Sequence, residues 1–223
     1  MTFINDFLTT VKTIVTDPKE GVKRFVDGAN WIIMGIMAVI YAGITVLSNV
    51  VYKIQRNFKD KEYWEEIADD MDMDLADYID EFDIDVYSYE FGDIVKGVFI
   101  DILEVIATIG ITAVVFFFAV KLIKKIQITW KQAFAIATIE LLIFIPLTIV
   151  YKVFDLIPDF KLLSWIMSMI ISVRSWGSAI ITYLGLKSVC EDTKSTIYVS
   201  VPAVAVISLA NSFVFFLLTS LFS

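Results

Sequence analysis

Apolar residues fall into five long runs separated by polar segments: Trp31–Val51, Ile94–Val120, Ala133–Tyr151, Leu162–Leu186 and Thr196–Phe222. Each is near or above the roughly 20 residues a helix needs to cross a hydrocarbon core. None alternates in and out over about ten residues, as a lipid-facing barrel strand does. Inside lipid the backbone must satisfy its own hydrogen bonds, so the runs predict helices. The expected fold is an all-α, polytopic membrane bundle of five transmembrane helices with additional amphipathic interfacial helices. Its expected divisions are a cytoplasmic amphipathic region (1–30), the first span (31–51), an acidic extramembrane segment (52–93) and a bundle of spans two to five (94–223).

Two polar segments carry helical periodicity. Near the N-terminus, Phe3, Ile4, Phe7, Leu8, Val11, Ile14 and Val15 recur at i, i+3 and i+4, with polar residues opposite, which predicts an interfacial helix. It stops at Thr16–Asp17–Pro18. Asp17 is placed to cap a second helix, with Pro18 at its first position and Glu20 at the third, as in a capping box. Between spans one and two, Trp64, Ile67, Met71, Leu75, Tyr78, Ile79 and Phe82 share one face. This predicts one amphipathic helix over about Asp60–Phe82, lying along the membrane or over the bundle. Alternation over Asp83–Phe91 predicts a short extended segment.

Composition sharpens the class. Of 223 residues 58% are hydrophobic and only 20% charged, mean hydropathy is +0.75, and there is one cysteine. That excludes a disulfide scaffold and a disordered chain. The net charge of -8 excludes a nucleic-acid binder. The acidity is concentrated: Tyr52–Gly97 holds 15 acidic and 5 basic residues, leaving the rest of the chain at +2. No signal-peptide h-region precedes the first long run, so span one is expected to be a signal anchor. Lys and Arg favour the N-terminal side of the membrane by ten to seven, which orients the N-terminus inside and the C-terminus outside, in a bacterial plasma membrane. The lipid bilayer is then the first partner. A membrane-protein partner or a second copy of the chain is a further possibility, and the acidic segment would face outward.

Charges inside spans are functional hypotheses by default. Asp101 and Glu104 lie toward one end of span two, on a face with Thr108 and Thr112. Glu140 lies about two turns into span three, and Arg174 near the middle of span four. The short Phe154–Lys161 link makes spans three and four antiparallel neighbours, so Glu140 and Arg174 are natural partners in an ion pair or a shared polar network. A proton or ion pathway, and a lipid-headgroup contact for Arg174, are the alternatives. Stripes of small and hydroxyl residues, Gly35, Ala38, Ala42, Thr45 and Asn49 in span one and Ser164, Ser168, Ser172, Ser175, Ala179 and Thr182 in span four, predict close helix packing. Pro146 and Pro202 are candidate kinks. Asp70, Asp72, Asp74 and Glu81 match positions 1, 3, 5 and 12 of a calcium-binding loop. The sixth position, however, is Leu75 instead of Gly, so calcium is a weak alternative and no metal site is expected.

Catalytic chemistry has little to stand on. There is no His, Cys190 is followed by Glu191 and Asp192, and no Walker A, GxSxG, HExxH or CxxC pattern occurs. A non-enzyme without a cofactor is expected.

Two segments carry a resemblance. Val15-Thr-Asp-Pro-Lys-Glu-Gly-Val before span one and Trp176-Gly-Ser-Ala-Ile-Ile-Thr-Tyr-Leu-Gly-Leu ending span four, with five spans, resemble the Yip family of Rab-interacting membrane proteins, in its small prokaryotic form. The resemblance covers most of the chain outside Lys53–Asp93. Eukaryotic members carry a longer cytosolic N-terminus and an Asp-Leu-Tyr-Gly-Pro motif. Neither is found here, so the resemblance does not imply Rab binding. It implies a scaffold or adaptor organising membrane proteins or lipid. The competing expectation, from the residues, is a small transporter, channel or scramblase-like protein using Glu140 and Arg174.

Overall fold

The computed structural model describes residues 2–82, 91–155, 161–190 and 193–222. Among them it is all helical: α1 (Thr2–Thr16), α2 (Pro18–Asp27), α3 (Trp31–Asp70), α4 (Leu75–Phe82), α5 (Phe91–Lys124), α6 (Trp130–Ile139), α7 (Leu141–Asp155), α8 (Lys161–Cys190) and α9 (Thr193–Phe222). Five stretches are long and apolar enough to span a bilayer: Trp31–Ile54, Phe91–Ile123, Trp130–Tyr151, Ser168–Cys190 and Thr196–Leu221. Large apolar side chains such as Val39, Leu47, Ile106, Val173, Leu209 and Phe216 point outward along them, as suits a surface whose solvent is lipid. The expected extended segment and the links after α7 and α8 fall mostly on 83–90, 156–160 and 191–192, outside the described residues, as do the side chains of Phe3, Ile4, Phe7 and Ser164.

The chain divides into two compact units, Met1–Ile44 with Leu103–Ser223, and Thr45–Ile102. In the first, α2 packs against α1, α6 and α8, and α8 packs against α6, α7 and α9. Asp17 caps α2 as expected, its side chain accepting from the Glu20 N–H at 3.2 Å, with Pro18 at the start of the helix. The reciprocal half of the capping box is not made, because the Asp17 N–H already donates to the Thr13 carbonyl. Val22, Phe25 and Val26 are buried by α2 into a core shared with Met34, Met37, Phe116, Val120, Ile136 and Leu186. α2 is therefore packed into protein, and its lysines rim that packing. Trp31 and Trp130 mark the same end of the unit, half exposed, Trp31 edge-on to Phe134 and Trp130 stacked on Phe117 at 3.9 Å. Such half-exposed rings suit a membrane–water boundary.

The second unit corrects the expectation of one amphipathic helix over Asp60–Phe82. α3 runs without a break from the apolar run to Asp70, 40 residues in all, or about 60 Å at 1.5 Å per residue. It then stops in a Schellman turn: the Met73 N–H reaches the Ala68 carbonyl, the Asp72 N–H the Asp69 carbonyl, and Asp72 sits at φ 60°. Asp74 accepts from the Ala76 N–H and starts α4. The chain folds back, so the predicted apolar face closes on itself: Tyr78 lies 6.3 Å from Trp64 and 4.7 Å from Phe82, and Ala68 and Tyr78 are buried. Asp tolerates the left-handed region better than most residues, and periodicity cannot register a turn made by one backbone angle.

Close approaches are set by glycines. A Cβ on Gly21 would overlap the backbone N of Ile14 and lie 2.5 Å from its Cα, whereas Gly177 and Gly185 lie against Ile143 and Ile136. The span-one glycines Gly35 and Gly43 face open space. Gly21→Val should destabilise the protein by about 1–3 kcal/mol through overpacking, read as a lower melting temperature in detergent, while Gly35→Val should leave it within error. Cys190 ends α8 at 3% exposure. A water-soluble maleimide should therefore leave it unmodified in intact and in permeabilised cells, and label it after unfolding in SDS.

Candidate functional site

The site begins with an interruption. Span three is two helices, α6 and α7, and the residue between them is Glu140. The Ile143 and Phe144 N–H groups donate to the Glu140 carbonyl at 2.9 and 3.0 Å, so α7 starts again on Glu140 itself. Pro146, the expected kink, lies six residues further on, inside α7. At the other end, Thr129 and Gln132 form a full capping box that starts α6. Glu140 keeps right-handed helical dihedrals, φ -63° and ψ -23°, so the interruption is confined to one residue of the hydrogen-bond ladder and the span continues through it.

Glu140 lines a cavity. A cavity of about 580 Å³ is bounded by Glu140, by Thr108 and Thr112 of α5, by Ser175, Ser178 and Thr182 of α8, and by Ser200 and Asn211 of α9, with apolar wall from Phe116, Val201, Val204 and Ile207. Seven hydroxyl groups (Tyr183 supplies the seventh) and one amide surround a single carboxylate. The volume is that of a small-molecule site. The Ser178 hydroxyl donates to Glu140 Oε2 at 2.6 Å. Asn211 Oδ1 is buried and has no hydrogen-bond partner among the described residues.

Arg174 goes elsewhere. Its Nη2 donates to the Tyr41 hydroxyl at 3.1 Å, and its guanidinium lies 4.3 Å from the centre of the Phe144 ring. It lines a separate cavity of about 320 Å³ with Leu147, Thr148, Tyr151, Ile170 and Ile171. Arg174 is near enough for its charge to act on Glu140, but no direct ion pair joins them among the described residues. The reason is register. α7 and α8 are antiparallel with Glu140 facing Ser178 and Phe144 facing Arg174, so the two charges are offset by one helical turn, about 5.4 Å. A carboxylate left unmet at this depth would cost about 2.5–3.5 kcal/mol or more, and a serine meets it in place of the expected arginine.

The other candidate residues are dispersed. Asp101 belongs to the second unit, where Asn49 Nδ2 donates to its Oδ1 at 3.0 Å and Lys53 Nζ donates to the Asp93 carbonyl at 3.4 Å. Glu104 is half-buried on α5. Ser168, Ser172 and Ser175 are exposed. The hydroxyls of Ser172 and Ser175 donate to the Ser168 and Ile171 carbonyls of their own helix, so the stripe does not knit helices, and Gly177 and Gly185 provide the close approach instead. Ser175 joins the cavity wall. Asp70 ends α3, Asp72 makes the turn, Asp74 starts α4 and Glu81 lies in the last turn of α4, and no group of three or more potential ligands is gathered for a metal among the described residues. Asn211, Ser200, Ser178 and Tyr41 are the polar groups that reading by charge missed. The signal available for Asn211 and Tyr41 was a polar residue inside an apolar run.

No family model, curated protein or solved structure matches the chain.

Ser178→Ala removes a hydrogen bond to a charged group and should lower stability by about 1.5–3 kcal/mol. Glu140→Gln, which keeps an acceptor for Ser178, should cost less, and Tyr41→Phe about 0.5–1.5 kcal/mol. Thermal denaturation of the purified variants in one detergent checks the order.

Proposed function

We propose that this multi-pass membrane protein takes up a small polar solute, or the headgroup of a lipid, in the cavity at Glu140, as a transporter, channel or scramblase-like protein does. The observation that supports the reading best is the convergence of polar side chains from several spans on one cavity. A carboxylate between α6 and α7 and a ring of hydroxyls from α5, α8 and α9 meet at one place, as in ligand sites built between the helices of a bundle. Val201 and Val204, which line the cavity, are also largely exposed on α9, so access from the lipid side is available to an amphiphile. The N-terminus is assigned to the cytoplasmic side. In support, Lys19, Lys23 and Lys187 line one groove between α2 and α8, with Glu20 and Asp27 beside them, and lysines are what the positive-inside rule counts.

The second reading is the Yip-like, non-enzymatic scaffold or adaptor. Its support is the compact Thr45–Ile102 unit, whose acidic side chains are exposed around the α3–α4 turn and suit a basic partner or a second copy's basic face.

Reconstitution separates the two. Vesicles carrying the wild type should pass at least one of glycerol, glycine and ethanolamine faster than empty vesicles, or exchange a fluorescent-headgroup lipid between leaflets. Ala179→Phe, which fills the cavity from α8, should abolish that flux while the protein remains monodisperse. Equal rates for wild type, Ala179→Phe and empty vesicles across all four probes would leave the scaffold reading in possession.

A further inference from the structure

Resting on the cavity reading above, we propose that what the cavity recognises is an ammonium group, with Glu140 as its counter-ion. Four observations converge. The walls contain one carboxylate and no lysine or arginine. Arg174, the nearest intramembrane cation on α8, is committed to the Tyr41 hydroxyl and the Phe144 ring and lines the other cavity. On Glu140, Ser178 occupies Oε2, while Oε1 has no hydrogen bond among the described residues. Finally, Asn211 Oδ1 is a buried acceptor with no partner among the described residues, in the same cavity wall.

What the site lacks is therefore donors carrying positive charge. A primary ammonium supplies three N–H donors in a cavity whose wall offers Glu140, a ring of hydroxyls and Asn211 Oδ1 as acceptors. The Phe116 ring in the wall adds a surface that attracts a cation, whereas the Tyr183 ring already faces the Lys187 ammonium, 6.0 Å from its centre. A bare metal ion fits poorly. A hard cation such as calcium takes six to eight oxygen ligands held close together, whereas one carboxylate in a space of about 580 Å³ suits an organic cation. An anion would be repelled by the carboxylate, and a neutral polyol would bring it no opposite charge. The ammonium can come from a soluble amine or from an aminophospholipid headgroup entering beside Val201 and Val204.

The test uses the full chain in nanodiscs of phosphatidylglycerol, radiolabelled ethanolamine as probe, and ethylene glycol as its neutral counterpart. The wild type should bind ethanolamine saturably, and a hundredfold excess of ethylene glycol should not displace it. Glu140→Gln should weaken binding by about tenfold or more, as loss of one partner of a buried charge pair does, and Glu140→Asp should retain part of it. Repeating the measurement in nanodiscs containing phosphatidylethanolamine assigns the source: loss of probe binding there identifies the lipid headgroup as occupant, and unchanged binding identifies a soluble amine, either of which supports the proposal. Competition by ethylene glycol equal to that by unlabelled ethanolamine would overturn the ammonium assignment and leave the cavity reading standing. So would wild-type protein that fails to bind ethanolamine yet passes glycerol in the vesicle assay. Absence of both binding and cavity-dependent flux would remove the cavity reading itself. If Glu140→Gln does not fold, the wild-type competition pair decides alone.

Discussion

A carboxylate placed within an apolar span must be met by a polar group, and much of the first unit is arranged around that requirement. Glu140 is met by Ser178 at 2.6 Å, which sets the register of α7 against α8. The same register then places Phe144 under the Arg174 guanidinium and Ile143 against Gly177. One turn along, Arg174 reaches across to Tyr41 on α3. Polar contacts are thus distributed along a helix pair instead of concentrated in one ion pair. A hydrogen bond from a neutral serine brings no opposite charge and engages only Oε2 of Glu140.

The N-terminal helices have a different logic. α1 and α2 are amphipathic, and their apolar residues could have rested on lipid headgroups. In α2 they are packed into protein instead, because Gly21 lets the two helix backbones meet at Ile14 and Val22 and Val26 then reach the core of the bundle. The segment that carries the Yip-like resemblance is this joint. Its Asp-Pro start and its glycine have physical tasks that do not depend on any partner.

Elements whose signal is length and hydropathy were legible in the sequence: the five spans, the α1–α2 boundary at Asp17–Pro18 and the antiparallel pairing of α7 with α8. Features decided by one backbone angle or by helix phase were not. Asp72 turns the acidic helix back on itself through a left-handed φ, and of the seven apolar positions that predict one helix, Trp64 and Ile67 fall in α3, Leu75, Tyr78, Ile79 and Phe82 in α4, and Met71 in the turn between them. The break at Glu140 was hidden by the unbroken apolar run around it. Counting charges placed Glu140 with Arg174, since opposite charges on neighbouring spans invite pairing, but a one-turn offset is invisible without the register. Serine, asparagine and tyrosine carry no charge to draw attention, so half the polar wall of the cavity went unread. The capping box at Thr129 and Gln132 was there to be found, at the edge of a run read only for its length.

The α7–α8 register also makes the C-terminal half of α8 sensitive to phase. Each residue advances a helix by about 100°. One residue inserted between Arg174 and Ser178 would turn everything after it by that angle, carrying Ser178 off Glu140, Thr182 out of the cavity wall and Gly185 away from Ile136. Four inserted residues nearly complete a turn and return those side chains to the correct face, but one step of about 6 Å too far along the axis. The chain can therefore vary in its polar links, whereas within these few turns it has, in effect, a reading frame in three dimensions.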